Sequence, residues 1–467
     1  MSDFDYAIIG AGPAGMSAAL TLAEHGLRPL VLDRAPRAGG QVFRSAAHSP
    51  LSDTTPLGPD YTDGAVLIEA YEACGAHHSA GADVWHVGED GRILYSLDGE
   101  THQAEARELL LCLGAIERPM PISGWTLPGV MTAGAAQVML KSDGLVAEGA
   151  VFVGSGPLLL LIVAQYLRLG VKVRAVVDTT PRRNYLDAAP LLPSALSSWP
   201  MLRKGLALLA EIRRADVPVY RNAMNLEVIG TTRAEGLRFR TGKAREIASD
   251  HIFLHHGVTP NPNMTRAMGL DHVWNEDQLT WHVATDRFGQ SSLPHVAVAG
   301  DGAAIVGAEG AQHAGRLAAL NMLHRMGRID RDTRDREAHG DLAALTRLAR
   351  ARRFIHRLYR PTEALRLPSR DDTLVCRCEE RTLGDLREGF AEGARDPNAL
   401  KARTRCGMGP CQGRQCGPVV SGLLANWRDE RMETVGYYRL RSPQRLLSLA
   451  EFSRFRTVSP ARREAAE

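Results

Sequence analysis

Residues 4–44 constrain the fold more than any other stretch. An apolar run, Tyr6 to Ile9, reads as a buried strand. Gly10, Gly12 and Gly15 follow at G-x-G-x-x-G spacing. Gly10 permits the tight turn, Gly12 lets backbone approach a pyrophosphate, and Gly15 lets helix and strand pack closely. The helix, Met16 to Gly26, offers free N–H groups and a partial positive charge to phosphates at its N-terminus. A second strand ends at Asp33, 18 residues after Gly15, where a carboxylate can hold ribose hydroxyls. A lone glycine triplet would be weak evidence. Strand, triplet, helix, strand and acid in register predict a dinucleotide-binding unit.

At 467 residues the chain has room for two or three domains. A net charge of +3 argues for no particular partner, nucleic acid included. Of seven cysteines, five fall between residues 376 and 416. That clustering favours a metal site in a reducing, cytoplasmic compartment over a secreted disulfide framework. A strand begins almost at the N-terminus, so no signal peptide is expected. The longest apolar stretch, Leu158 to Leu169, is too short to span a bilayer and reads as a buried helix.

Gly39-Gly40-Gln41 reads equally as a plain loop or as backbone lying against a flat ring, with the amide as hydrogen-bonding partner. Ala65 to Cys74 is helical in pattern, and Val84 to Val87 is a short strand. His77, His78, His86, Cys74 and Cys112 read as packed or surface residues. The strand from Glu108 ends in Gly114, and the Pro/Gly-rich segment Arg118 to Val130 reads as a crossing between domains. A second nucleotide-type unit starts at Ala150, with Gly154 and Gly156 in its turn and Asp178 at the ribose position. Leu159 stands where the third glycine belongs. A leucine there should push helix from strand and loosen the cradle, which leaves NAD(P) binding open. Residues 185–250 carry no chemistry that the sequence names, and Val258 to Asn263 is a turn-rich return. Asp301 follows a strand and precedes a long helix from Gly307, a place that suits a polyol hydroxyl or a helix cap. The arginine-rich stretch 328–370 repeats Leu342, Leu345, Leu348, Ile355 and Leu358 at helical spacing and reads as a connector with a solvated face.

The sharpest feature is Cys376-Arg-Cys378 followed by Cys406-Gly-Met-Gly-Pro-Cys411-Gln-Gly-Arg-Gln-Cys416. Four thiolates suit zinc or a 2Fe–2S cluster. Neither pair has the C-x-x-C spacing of structural zinc, so beside a flavin-type domain iron–sulfur is preferred. Five cysteines compete for four places, and Cys406 is either a substitute ligand or a thiol beside the cluster.

Three segments agree with one family: the Gly10–Gly15 motif with Gly39-Gly40-Gln41, the stretch Arg118 to Val130, and the Cys-Arg-Cys … Gly-Met-Gly-Pro-Cys-Gln-Gly block. Over nearly its whole length the chain resembles the flavoprotein (alpha) subunits of multi-subunit amino-acid dehydrogenases. That group includes the flavoprotein subunits of opine oxidase, of the D-hydroxyproline and L-proline dehydrogenases and of hydrogen cyanide synthase. The first half also looks like a disulfide reductase, but its second nucleotide unit has no C-x-x-C. The resemblance implies an α/β fold with two Rossmann-like domains and a small, mainly α iron–sulfur domain resembling bacterioferritin-associated ferredoxin. It implies FAD at Gly10, Gly12, Gly15, Asp33, Gly40, Gln41, Val84, Gly114 and Asp301, and a 2Fe–2S cluster on Cys376, Cys378, Cys411 and Cys416. It implies a beta partner resembling glycine/sarcosine oxidases and a small ferredoxin-like gamma subunit in some assemblies; FMN at a subunit interface and peripheral contact with a respiratory membrane stay open. The expected division is a two-part FAD-binding domain (1–120 and 251–330), a second nucleotide unit (121–250), a connector (331–370), a cluster domain (371–454) and a tail (455–467).

Overall fold

The computed structural model describes residues 4–457. Chain from both ends builds its largest sheet. β1 (Phe4–Ile9), α1 (Pro13–Glu24) and β2 (Leu30–Asp33) form the opening unit, and α2 (Pro59–Ala73) leads to β3 (His77–Ala80). An antiparallel excursion follows through β4 (Asp83–Val87), β5 (Arg92–Leu97) and the long β6 (Glu100–Leu111). Strand order is β3-β2-β1-β6-β5-β4. One half of β6 pairs with β5, the other with β1. Ala7 and Ile8 are fully buried, because helices cover one face of this parallel region and the β4–β6 layer the other.

After β7 (Ala115–Glu117) the chain crosses to a second parallel sheet. Its elements are β8 (Val130–Thr132), α3 (Ala133–Asp143), β9 (Ala150–Gly154), α4 (Pro157–Arg168), β10 (Val173–Asp178), α5 (Arg182–Ala188), α6 (Leu192–Ala195), α7 (Trp199–Arg214) and β11 (Val219–Tyr220). An antiparallel meander, β12 (Met224–Ile229), β13 (Gly236–Thr241) and β14 (Lys243–Ala248), precedes β15 (Ile252–His255), which enters the sheet in the order β11-β10-β9-β15-β8. Thus residues 185–250 hold the helical layer, the last strand and the meander of this unit. β16 (Val258–Pro260) pairs with β7, so outgoing and returning chain form a two-stranded neck.

Back in the first unit come α8 (Asn263–Ala267), the hairpin β17 (His272–Asn275) and β18 (Thr280–Val283), then β19 (Val296–Val298) beside β6, and α9 (Gly307–Arg325). Small residues let α9 lie on α1; a Cβ on Gly315 would come 2.0 Å from the Ala14 carbonyl oxygen. The arginine-rich stretch forms one helix, α10 (Arg331–Leu358), capped by Asp330, whose side chain accepts from Thr333 N–H. Its arginines pair outward, Arg347 with Glu309 and Arg353 with Asp277. Near its end, Asn184 of α5 donates to the carbonyls of Leu358 and Arg360 at 2.9 and 2.8 Å.

α11 (Glu363–Arg366) leads to the C-terminal unit: β20 (Leu374–Cys376), β21 (Arg381–Thr382), α12 (Leu383–Ala391), α13 (Pro397–Thr404), α14 (Gly417–Arg428), α15 (Met432–Val435) and α16 (Leu449–Ser453). Part of the expected tail is ordered differently. β22 (Phe455–Thr457) pairs in parallel with Thr101–Gln103 of β6, where that edge is otherwise unpaired. Residues 458–467 lie outside the described residues. Among the described residues no helix is long and apolar enough to cross a membrane.

Candidate functional site

Two sites emerge, a glycine-lined cleft and a nest of thiols. In the cleft, the glycines divide by what surrounds them. A Cβ on Gly15 would lie 1.8 Å from the Gly10 carbonyl oxygen, and one on Gly10 would lie 2.3 Å from that of Cys112. Both are needed for the strand–helix turn itself. A Cβ on Gly12 meets nothing nearer than Gly40 Cα at 3.7 Å, and one on Gly114 meets nothing within 4 Å. Gly114 faces open space, and Gly12 has only the Gly40 backbone beside it, which leaves room for a nucleotide to approach. Gly40, with φ +59°, lies directly against Gly12.

Asp33 closes the loop end of β2. Its Oδ2 accepts from Ala11 N–H at 2.5 Å and its Oδ1 from Ala35 N–H at 2.7 Å. Asp301 takes the capping role: its Oδ1 accepts from Val306 and Gly307 N–H, each at 2.7 Å, at the start of α9. Two expected residues are placed less tightly. Gln41 is exposed, and its side chain accepts from Arg44 at 3.2 Å. Val84 sits on β4 opposite Tyr95, packed against the layer beneath the first sheet.

Three long-range features of this region carry no motif. Lys141 of α3 is 3% exposed, donates to the Val42 carbonyl at 2.8 Å and lies over the Tyr61 ring. Burial, with Arg44 nearby, pushes its ammonium down to about 7. Its place on the buried stripe Ala133, Ala136, Gln137, Leu140 was a signal available in the sequence. Arg352 of α10 lies against Gly307, where a Cβ would come 2.0 Å from the guanidinium. Among the described residues its buried Nε has no hydrogen-bond partner. In the second unit, Glu117 binds His255 Nδ1 at 2.6 Å and accepts from Gly134 N–H at 2.8 Å.

All five late cysteines gather in the C-terminal unit. The sulfur atoms of Cys376, Cys406 and Cys416 lie within 4.8 Å of one another, all buried. Cys378 is exposed and Cys411, beside it, is half-buried. Loop glycines make the nest possible. A Cβ on Gly409 would lie 2.3 Å from Cys378 Cβ, and ones on Gly407 and Gly413 would press within 2.8 and 2.7 Å of the Tyr438 ring. Cys416 stands at the N-cap position of α14, without a side-chain capping bond. An all-sulfur donor set suits a soft metal or an iron–sulfur centre.

The two sites are linked. Asn261 N–H donates to the Gly114 carbonyl at 3.2 Å, and Asn263 Nδ2 donates to the Gln412 carbonyl at 3.1 Å, beside Cys411. Only Pro262 separates the two asparagines. From the second unit, Trp125 Nε1 donates to the Leu374 carbonyl at 2.7 Å.

Comparison with known proteins agrees with this layout. Residues 4–318 match the pyridine nucleotide-disulphide oxidoreductase family, and residues 374–426 match the BFD-like [2Fe-2S] binding domain. The A subunit of opine oxidase from Agrobacterium tumefaciens (strain Ach5) is 39% identical over 465 residues, 97% of this chain and 92% of that protein. The HcnB subunit of hydrogen cyanide synthase from Pseudomonas protegens is 32% identical over 464 residues, 93% of this chain and 94% of that protein. In fold, the L-proline dehydrogenase of P. horikoshii covers 96% of this chain and 78% of its own, with TM-score 0.68 at 17% identity. The thioredoxin reductase of T. acidophilum covers 70% of this chain and 99% of its own, with TM-score 0.51 at 22% identity. The chain belongs to the pyridine nucleotide-disulphide oxidoreductase family, in the group of the opine oxidase A subunits, and is a flavoprotein oxidoreductase with a C-terminal 2Fe–2S domain.

Proposed function

We propose that this chain is the electron-transfer subunit of a hetero-oligomeric amino-acid dehydrogenase of opine, D-hydroxyproline or proline type. It passes electrons from a partner's flavin toward a respiratory acceptor. One observation carries the reading: the turn Asn261-Pro262-Asn263 touches the glycine cleft at one end and the thiol loop at the other. The names of two relatives, one a subunit of opine oxidase and the other of hydrogen cyanide synthase, support a multi-subunit setting.

In this reading Gly10, Gly12, Gly15 and Gly40 form the pyrophosphate turn, Asp33 holds the ribose side, and Asp301 Oδ2 takes a ribityl hydroxyl. Gly114 lets backbone lie against the ring; Gln41 and Val84 line the periphery. Cys376, Cys378, Cys411 and Cys416 hold the cluster. A flavin takes electrons in pairs and a thiolate-bound cluster takes them singly, so the pair converts one traffic into the other. The chain's own residues fix the two sites relative to each other. Asn261, Asn263 and Trp281 are buried or part-buried there. Substrate chemistry falls to a beta subunit resembling glycine/sarcosine oxidases, with FMN at the subunit interface or a gamma subunit completing some assemblies. Purification with that partner, followed by substrate-driven bleaching of this chain's flavin and cluster, tests the proposal. Substrate reduction of the partner alone, with both centres of this chain remaining oxidised, contradicts it.

A second reading has an observation of its own. The second turn keeps Gly154 and Gly156 at φ +134° and +111° with Asp178 beyond. The Thr179 hydroxyl beside it is buried and, among the described residues, unpartnered. A stand-alone NAD(P)H-dependent flavin reductase would use that cleft. Rapid flavin bleaching by NADH in the isolated chain would favour it.

A further inference from the structure

We propose that Cys376, Cys406 and Cys416 share two coordination places at the buried end of the cluster. Any one of the three is then dispensable, whereas Cys378 and Cys411 hold the open end and neither can be spared. The inference rests on the reading that this nest holds a 2Fe–2S cluster.

The arrangement of sulfur atoms is the ground for it. Two thiolates on one tetrahedral metal, each about 2.3 Å from it, stand roughly 4 Å apart. Three sulfurs mutually within 4.8 Å therefore sit where any two can take one iron and the third stays within a side-chain rotation of it. Cys406 is 0% exposed, and Cys376 and Cys416 are each 1% exposed, so no solvent path separates the three.

Surrounding groups keep Cys406 in that place. Its N–H donates to Thr404 Oγ1 at 3.2 Å, and its carbonyl accepts from the Tyr438 hydroxyl at 3.1 Å. The same hydroxyl lies 3.6 Å from Cys406 Sγ and 3.8 Å from Cys416 Sγ, so one ring holds the two thiols side by side. Arg405 and Gly407, on either side, have φ +64° and +95°, a backbone that turns Cys406 inward. At the other end Cys378 is exposed and Cys411, beside it, is half-buried, outside the group of three buried sulfurs.

Single alanine variants of the five cysteines, made in the full chain and purified anaerobically, give the test. Iron, acid-labile sulfide and flavin are counted per chain, and visible circular dichroism reads the ligand set. Cys406→Ala should keep native iron and sulfide. Cys416→Ala and Cys376→Ala should each keep the cluster with an altered dichroism band, because Cys406 takes the vacated place. Cys378→Ala, Cys411→Ala and the double variant Cys406→Ala/Cys416→Ala should lose iron by about tenfold or more. Normal flavin content in every variant shows that the fold survives. Should Cys416→Ala fail to fold, Cys376→Ala reads the same exchange independently. The inference is overturned if Cys406→Ala loses its iron, or if Cys416→Ala and Cys376→Ala are as empty as Cys411→Ala. A native chain without iron would instead overturn the cluster reading beneath it.

Discussion

The chain makes a similar strand–turn–helix twice, at residues 10–15 and 154–159, and the two copies differ at the third position of the motif. In the first, Gly15 brings α1 so close that a Cβ would overlap the Gly10 carbonyl oxygen at 1.8 Å. The first bond of that helix, Met16 N–H to Gly12 oxygen, is 2.9 Å. In the second, Leu159 fills the equivalent space, 1% exposed in an apolar core with Phe152, Ile162 and Phe253. The corresponding bond, Leu160 N–H to Gly156 oxygen, stretches to 3.4 Å. One unit puts backbone against open space, the other puts a side chain into its core. The same secondary structure thus serves a cradle in one place and packing in the other.

The largest way to break the comparison is Gly15→Ala. Its methyl group has no room, so the turn must open at about 3 kcal/mol or more, and the purified chain should lack flavin. Absorbance at the flavin band against protein content checks it. Leu159→Ala should cost about 2–5 kcal/mol in thermal unfolding yet leave flavin content unchanged, because it empties a core and not a cradle.

Lys141 joins the two units, and its pH behaviour sharpens the contrast. Burial lowers its folded-state pKa to about 7 from an ordinary 10.5, so between those values the unfolded chain binds more protons. Stability contributed at this site is therefore reduced below pH 7 and recovers as pH rises from 7 toward 10.5. Melting temperatures of the native chain should climb relative to Lys141→Met between those limits, and a constant gap would contradict the assignment. Asn263→Ala should cost about 1 kcal/mol, since it frees the Gln412 carbonyl, but should slow equilibration between flavin and cluster in rapid-mixing spectra. Arg353→Ala, at the exposed pair with Asp277, should change stability by about 0.5 kcal/mol or less.

What was legible in the sequence follows from the range of each constraint. The first turn announces itself because its three glycines fall within six consecutive residues, Gly10 to Gly15, although the carbonyl that crowds Gly10 belongs to Cys112. The thiol block does so because few side chains can replace a thiolate. Leu159 was legible as a departure, and the first bond of α4 is longer than that of α1. Lys141 sat on a readable stripe, but its partner carbonyl at Val42 is nearly a hundred residues away. Asn263 read as part of a turn, and nothing local tells that its amide reaches Gln412. The order of the cysteines left Cys406 as a substitute ligand or a thiol beside the cluster, but not that it sits with Cys376 and Cys416, since Tyr438, which holds it there, comes from beyond α14. Elements whose meaning is steric and local were readable; those that depend on a distant carbonyl or ring were not.

The central claim is that one polypeptide holds a flavin and a 2Fe–2S centre in electronic contact. Reductive titration of the anaerobically purified chain, followed by flavin absorbance and by electron paramagnetic resonance in the same samples, tests it most directly. The account predicts one flavin with iron and acid-labile sulfide in equal amounts, and electrons that distribute between the two centres at every stage of the titration. A flavin accompanied by zinc, or an iron centre that stays oxidised while the flavin is fully reduced, would contradict it.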